Sequence, residues 1–70
     1  MNYKDVDLTN MGMLIAKARI AKGITATELS WRIGKSDNYI GRVETGRINI
    51  SMKSFLAICH VLDTSPKAFF

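Results

Sequence analysis

At 70 residues, 47% of them hydrophobic, the chain has room for one small folded domain and none for a second core. No window reaches the apolar length of a membrane span, and the opening MNYKDVD lacks the hydrophobic region of a signal peptide. A single cysteine excludes an internal disulfide and a metal cluster, as suits a cytoplasmic protein, and the formal charge of +4 is modest enough that its placement matters more than its size.

Residues 1–6 read as a loose lead-in. A first helix is predicted to begin between Leu8 and Gly12, with Asp7 or Asn10 as cap, and to run to Lys22, where Gly23 closes it. Leu8, Met11, Ile15 and Ala18 recur along it at helical spacing. A second helix opens at Thr25, three residues before Glu28, a capping-box spacing in which each side chain can satisfy a backbone amide. Leu29 and Ile33 share its buried face. Gly34 supplies the left-handed residue that ends it, and Ser36 is expected to cap a third helix over residues 36–45. Residues 47–50 form a loop. Ser51 then caps a fourth helix whose buried stripe is Met52, Phe55, Ile58, Cys59 and Leu62, and Ser65 followed by Pro66 opens a last short helix. With no β-alternation and no internal repeat, the expectation is an all-α domain of five helices joined by short connections.

Two short helices crossing through so tight a turn make residues 25–45 a helix-turn-helix, which points to DNA recognition more than to catalysis. The third helix turns Ile40, Val43 and Glu44 to one face and Asn38, Gly41, Arg42 and Thr45 to the other. Arg42 can donate a bidentate pair to guanine, and Asn38 can make the matching pair with adenine. Gly41 removes a side chain between them, at a cost to the helix, so that a groove can approach closely. Asp37 has two readings, an acceptor for cytosine N4 or an acid that complements the helix dipole. With Ser36, these are the candidate base-reading residues. Between Trp31 and Lys53, five basic residues (Arg32, Lys35, Arg42, Arg47, Lys53) stand against two acids, so +3 of the +4 lies here. A polyanion is the simplest partner for such a surface, and an ordinary solvated face is the other reading.

The order GITATELSWRIGKSDNYIGRVETGR, followed by a loop, a serine-capped helix and DTSPKAFF, resembles the Cro/C1-type helix-turn-helix family, the XRE-like regulators, over residues 12–70. The resemblance implies a compact lambda-repressor-like bundle of five helices, a transcriptional regulator read here as a repressor. Its third helix enters the major groove, and the chain acts as one half of a two-fold dimer on a palindromic operator in double-stranded DNA. Candidate phosphate contacts are Thr25, Ala26, Arg32, Lys35, Tyr39, Thr45, Arg47 and Asn49. The resemblance also implies a largely buried ion pair between Arg19 and Glu44 that ties the reading helix to the scaffold. This chain departs from the common pattern at Ala26, where many members have glutamine, at Ser30, where alanine is usual, at Ile50, where proline often stands, and at Asp63, where glycine is common. A weak homodimer strengthened by DNA is expected, with Leu56, Val61, Phe69 or Phe70 as contacts. Neither cofactor, metal, small-molecule ligand nor membrane is implied.

Other residues have plainer readings beside the functional ones. Trp31 falls off the Leu29 and Ile33 stripe and is either an exposed partner or DNA-backbone contact or, as the usual burial of tryptophan favours, a ring folded over its neighbours. Cys59 and His60 are adjacent on a helix and point apart, so they cannot act as nucleophile and base; Cys59 reads as core and His60 as exposed. Tyr39 either reaches a phosphate or packs beside Val43. Phe69 and Phe70 pack back onto the first helix, or one of them is shared with a second subunit. An enzyme has nothing to stand on here, which leaves a DNA-binding regulator and, as the alternative, a protein-interaction module using the same fold without DNA.

Overall fold

The computed structural model describes residues 8–69, with side chains from Asn10 onward. The expected lead-in, the Asp7 cap, the Leu8 side chain and the contacts of Phe70 lie outside the described residues. Four α-helices follow in order, α1 (Leu8–Lys22), α2 (Ala26–Arg32), α3 (Tyr39–Glu44) and α4 (Met52–Leu62), before a 3-10 turn at Pro66–Phe69. The expected fifth helix is therefore that single turn, closed by the Ala68 N–H on the Ser65 carbonyl at 2.9 Å. Among the described residues no helix is long and apolar enough to cross a membrane.

The helix starts follow local chemistry at Thr25 and Ser51 and depart from it at Ser36. The Thr25 hydroxyl accepts from the Glu28 N–H at 3.0 Å, and the Ser51 hydroxyl accepts from the Ser54 N–H at 3.1 Å. The capping box is only half made, because the Glu28 carboxylate turns to Arg32 one turn on, at 2.5 Å. Ser36 does not cap α3 with its side chain. Its carbonyl accepts from the Tyr39 N–H at 3.1 Å, so residues 36–38 form a tight turn ahead of a helix that begins at Tyr39.

All four helices end on the same hydrogen bond, from an N–H two or three residues past the helix back over its last turn: Ile24 to Arg19, Lys35 to Ser30, Arg47 to Arg42 and Thr64 to Cys59, at 2.9–3.3 Å. That closure needs a left-handed residue. Glycine provides it after α1, α2 and α3, whereas Asp63 takes it after α4 with φ 53°, carrying a steric cost that glycine lacks.

Ile15, Leu29, Ile40 and Ile58 are fully buried at the centre, with Val43, Phe55, Cys59, Leu62 and Phe69 around them. Phe69 meets Phe55 edge to face at 5.4 Å, which places it in the core and removes it from the expected subunit contacts. Met52 leaves the predicted stripe and is 63% exposed, while Ser54 is buried in the same turn. Helix α1 packs closely on the end of α3 at Gly12, where an added Cβ would stand 2.5 Å from the carbonyl oxygens of Val43 and Glu44. The α2–α3 crossing is fixed from inside. Buried Ser30 donates to the Ala26 carbonyl at 2.8 Å and accepts from the Ile40 N–H at 3.0 Å.

Candidate nucleic-acid interface

The same packing that buries Ile40 and Val43 turns Asn38, Gly41, Arg42 and Thr45 outward. A shallow groove runs between this face and the start of α2, lined by Ala26, Thr27, Asp37, Asn38, Gly41, Arg42, Thr45 and Arg47. Most of the residues proposed from sequence are thus brought to one surface. Thr25 stands exposed at the head of the adjoining helix, and Asn49 is exposed on the loop that follows α3.

Within this surface the side chains differ in what already occupies them. Among the described residues Asn38, Arg42, Arg47 and Asn49 make no side-chain hydrogen bond or ion pair with the protein, so their donors are free for an incoming ligand. Gly41 is equally unoccupied, since a Cβ there would meet nothing within 4 Å. The Thr45 hydroxyl, by contrast, donates to the carbonyls of Gly41 and Arg42 at 3.1 and 3.2 Å, which commits its proton to the helix. Arg32 shares its charge with Glu28 in an exposed pair. Lys35 rests its ammonium 5.2 Å from the centre of the half-buried Tyr39 ring.

Trp31 and Asp37 are joined by a contact that their sequence readings do not include. The indole is 61% exposed and does not fold down over its neighbours. Its Nε1–H donates to Asp37 Oδ1 at 2.7 Å, so the carboxylate is held across the turn and caps no backbone amide of α3.

The acids that could oppose an anionic ligand are largely answered inside the protein. Arg19 clasps Glu44 with Nε on Oε2 at 2.6 Å and Nη2 on Oε1 at 3.1 Å, while its Nη1 donates to the Ile24 carbonyl at 2.9 Å. Hydrogen bonding to Glu44 raises the Arg19 pKa above its ordinary value, against partial burial and with help from the Glu44 charge. The arrangement anchors the last turn of α3 to α1. It also leaves Asp37 as the one acid of the 31–53 segment on the outer surface.

Two residues outside the candidate contacts, Thr27 and the Lys53 already counted among the basic residues, line depressions on this side of the domain. Thr27 lines the groove from α2, and Lys53 shares a second depression with Lys35 and Ser51. Lys53 does carry a signal in sequence, because a cation in the first turn of a helix opposes the helix dipole and calls for an anion nearby.

A family model described as helix-turn-helix matches residues 15–69. Among solved structures, the restriction-modification controller protein C.AhdI from Aeromonas hydrophila is similar with a TM-score of 0.84 and 32% identity, over 90% of this chain and 96% of that one. The clp gene regulator ClgR from C. glutamicum is similar with a TM-score of 0.81 and 28% identity, over 86% of this chain and 77% of that one. A point mutant of the restriction-modification controller protein C.Esp1396I gives 0.79 and 30%, over 90% and 84%. No curated protein sequence matches the chain significantly.

Proposed function

The chain belongs to the helix-turn-helix family and is a DNA-binding transcriptional regulator; from that premise we propose that it reads a specific operator, as a repressor, with the outer face of α3 in the major groove. The observation that carries this reading is the state of that face. Asn38 and Arg42 hold base-edge donors with no partner in the protein, and Gly41 between them leaves room that no internal contact uses. Lys35, Arg47, Asn49 and Lys53 surround the face and supply phosphate contacts, with Arg32 joining them when it releases Glu28.

A domain this small makes few contacts, so we propose that two copies bind the half-sites of a palindrome about 34 Å apart, as a weak homodimer that DNA strengthens. Leu56, 47% exposed on α4, and half-buried Val61 remain its candidate contacts. The proposed location is the cytoplasm.

Selection of bound duplexes from a random pool, followed by titration at two salt concentrations, tests the reading. A recovered half-site and a steep loss of affinity with salt are expected. Arg42→Ala should cost about 1–3 kcal/mol at one base pair, whereas Arg47→Ala should weaken all sequences alike and lower the salt slope by about one. Equal loss for operator and random DNA in Arg42→Ala would show that α3 positions the protein without reading sequence. No salt-dependent binding at all would favour the alternative, a protein-interaction module.

A further inference from the structure

We propose that Trp31 and Asp37 form a specificity clamp, in which the indole holds the Asp37 carboxylate at the head of α3 so that its free oxygen accepts the exocyclic amine of a cytosine in the major groove. The inference rests on the DNA-reading function above and deepens it. Asp37 lines the groove beside Asn38 and Arg42, yet it is an anion on a surface meant for a polyanion. Such a residue opposes phosphate and gains only where the partner presents a donor. In the major groove the exocyclic amines of cytosine and adenine are the donors, and adenine's lies beside the N7 acceptor, which repels a carboxylate, so cytosine is the better match.

The geometry supplies what such a contact needs. Oδ1 is held by Trp31 Nε1–H at 2.7 Å, which restrains the carboxylate and leaves Oδ2 open to an incoming donor. A carboxylate already holding one hydrogen bond loses less freedom and less hydration on docking than a bare one. The bond is exposed in the free protein and strengthens once the groove closes over it and excludes water. Capping does not explain Asp37, because its side chain bonds no backbone amide, and burial does not explain Trp31, which is 61% exposed. Trp31 is accordingly a positioning residue that acts through Asp37.

Selections from a random duplex pool with the wild type, Asp37→Ala, Trp31→Phe and Arg42→Ala test this. The wild type should prefer C·G at one half-site position. Asp37→Ala should lose that preference about tenfold, the equivalent of roughly 1.4 kcal/mol. Trp31→Phe keeps the ring and removes the N–H, so it should relax the same position and leave affinity for random DNA unchanged. Arg42→Ala should affect a different position. In the free protein, the single indole N–H resonance should move in Asp37→Ala, while thermal unfolding of Trp31→Phe verifies that it folds. The clamp is overturned if Trp31→Phe keeps the full preference, if Asp37→Ala leaves the selected site unaltered, or if Trp31→Phe weakens all DNA alike, which would make Trp31 a backbone contact. A wild type that selects no sequence removes the reading of DNA itself along with the clamp.

Discussion

The Ser30 hydroxyl accepts the backbone N–H of Ile40 at 3.0 Å, and neither residue has exposed surface. An amide at the start of α3, where the helix supplies no acceptor, is thereby satisfied from α2, ten residues back in the chain. The same hydroxyl donates to Ala26, so one buried atom sets how the two helices cross. Ser30→Ala should strand the Ile40 amide and destabilise the domain by about 1–3 kcal/mol in urea unfolding. Wild-type stability in that variant would mean that the bond contributes nothing to the crossing.

The clasp between Arg19 and Glu44 predicts a different pattern. Both side chains are mostly buried, at 15% and 13% exposure, so removing one partner leaves the other charge stranded in a low-dielectric site. Arg19→Ala or Glu44→Ala should each cost about 3 kcal/mol, and the double variant less than the two together. Arg19→Lys should not rescue, because an ammonium cannot reproduce the paired contacts to Glu44 while also reaching the Ile24 carbonyl. Additive costs in the cycle would show that the pair is not coupled.

What was legible in the sequence was chemistry that acts within a few residues. Thr25, Ser51, Gly23 and Gly34 punctuate the helices by local geometry, and the outward set of Asn38, Gly41, Arg42 and Thr45 follows from helical period alone. What was not legible depends on which elements meet. Ser30 looks like any small helix residue until Ile40 is brought to it, and Ser36 looks like a cap although its carbonyl is the atom used. Phe69 was open between core and subunit contact because only the position of Phe55 decides it. Trp31 had two readings, neither of which included a bond to a carboxylate six residues away across a glycine turn.

Cys59 gives a prediction in pH. Burial raises its thiol pKa above the ordinary value of 9.0, and the pair with His60 is excluded because His60 is exposed while Cys59 is 4% exposed. The unfolded chain then ionises this thiol at lower pH than the folded one does. Its contribution to stability is present below the unfolded value and is lost as pH rises toward the folded one. Wild-type stability should therefore fall more between neutral and strongly alkaline pH than that of Cys59→Ala, and thiol reagents at neutral pH should modify Cys59 only at the rate of unfolding. Rapid labelling of the folded protein would contradict this burial.

Gly12 and Gly41 are both helix-interior glycines, and the sequence gives a reason for Gly41 on the outward face but none for Gly12. The structure separates them completely. A Cβ on Gly12 would lie 2.5 Å from two backbone oxygens of α3, which cannot move without shifting the helix. Gly12→Ala should therefore destabilise by about 1–3 kcal/mol, and a measured gain in stability would rule out the close approach of α1 to α3.

At Gly41 the expected signs are opposed. A Cβ there meets nothing within 4 Å, so the protein's own packing gives no reason for a glycine. Relative to alanine it costs the helix about 0.5–1 kcal/mol, and Gly41→Ala should raise stability by that amount. The same methyl would project from the outer face of α3 between Asn38 and Arg42, where the floor of the groove must come close if those side chains are to reach base edges. Operator affinity should then fall by about tenfold while the fold gains stability, a loss of roughly 1.4 kcal/mol. Thermal unfolding and operator titration on one preparation measure both quantities. A variant that is more stable and binds its operator as tightly as the wild type would mean that DNA does not approach Gly41, and that a different face of the domain meets the duplex.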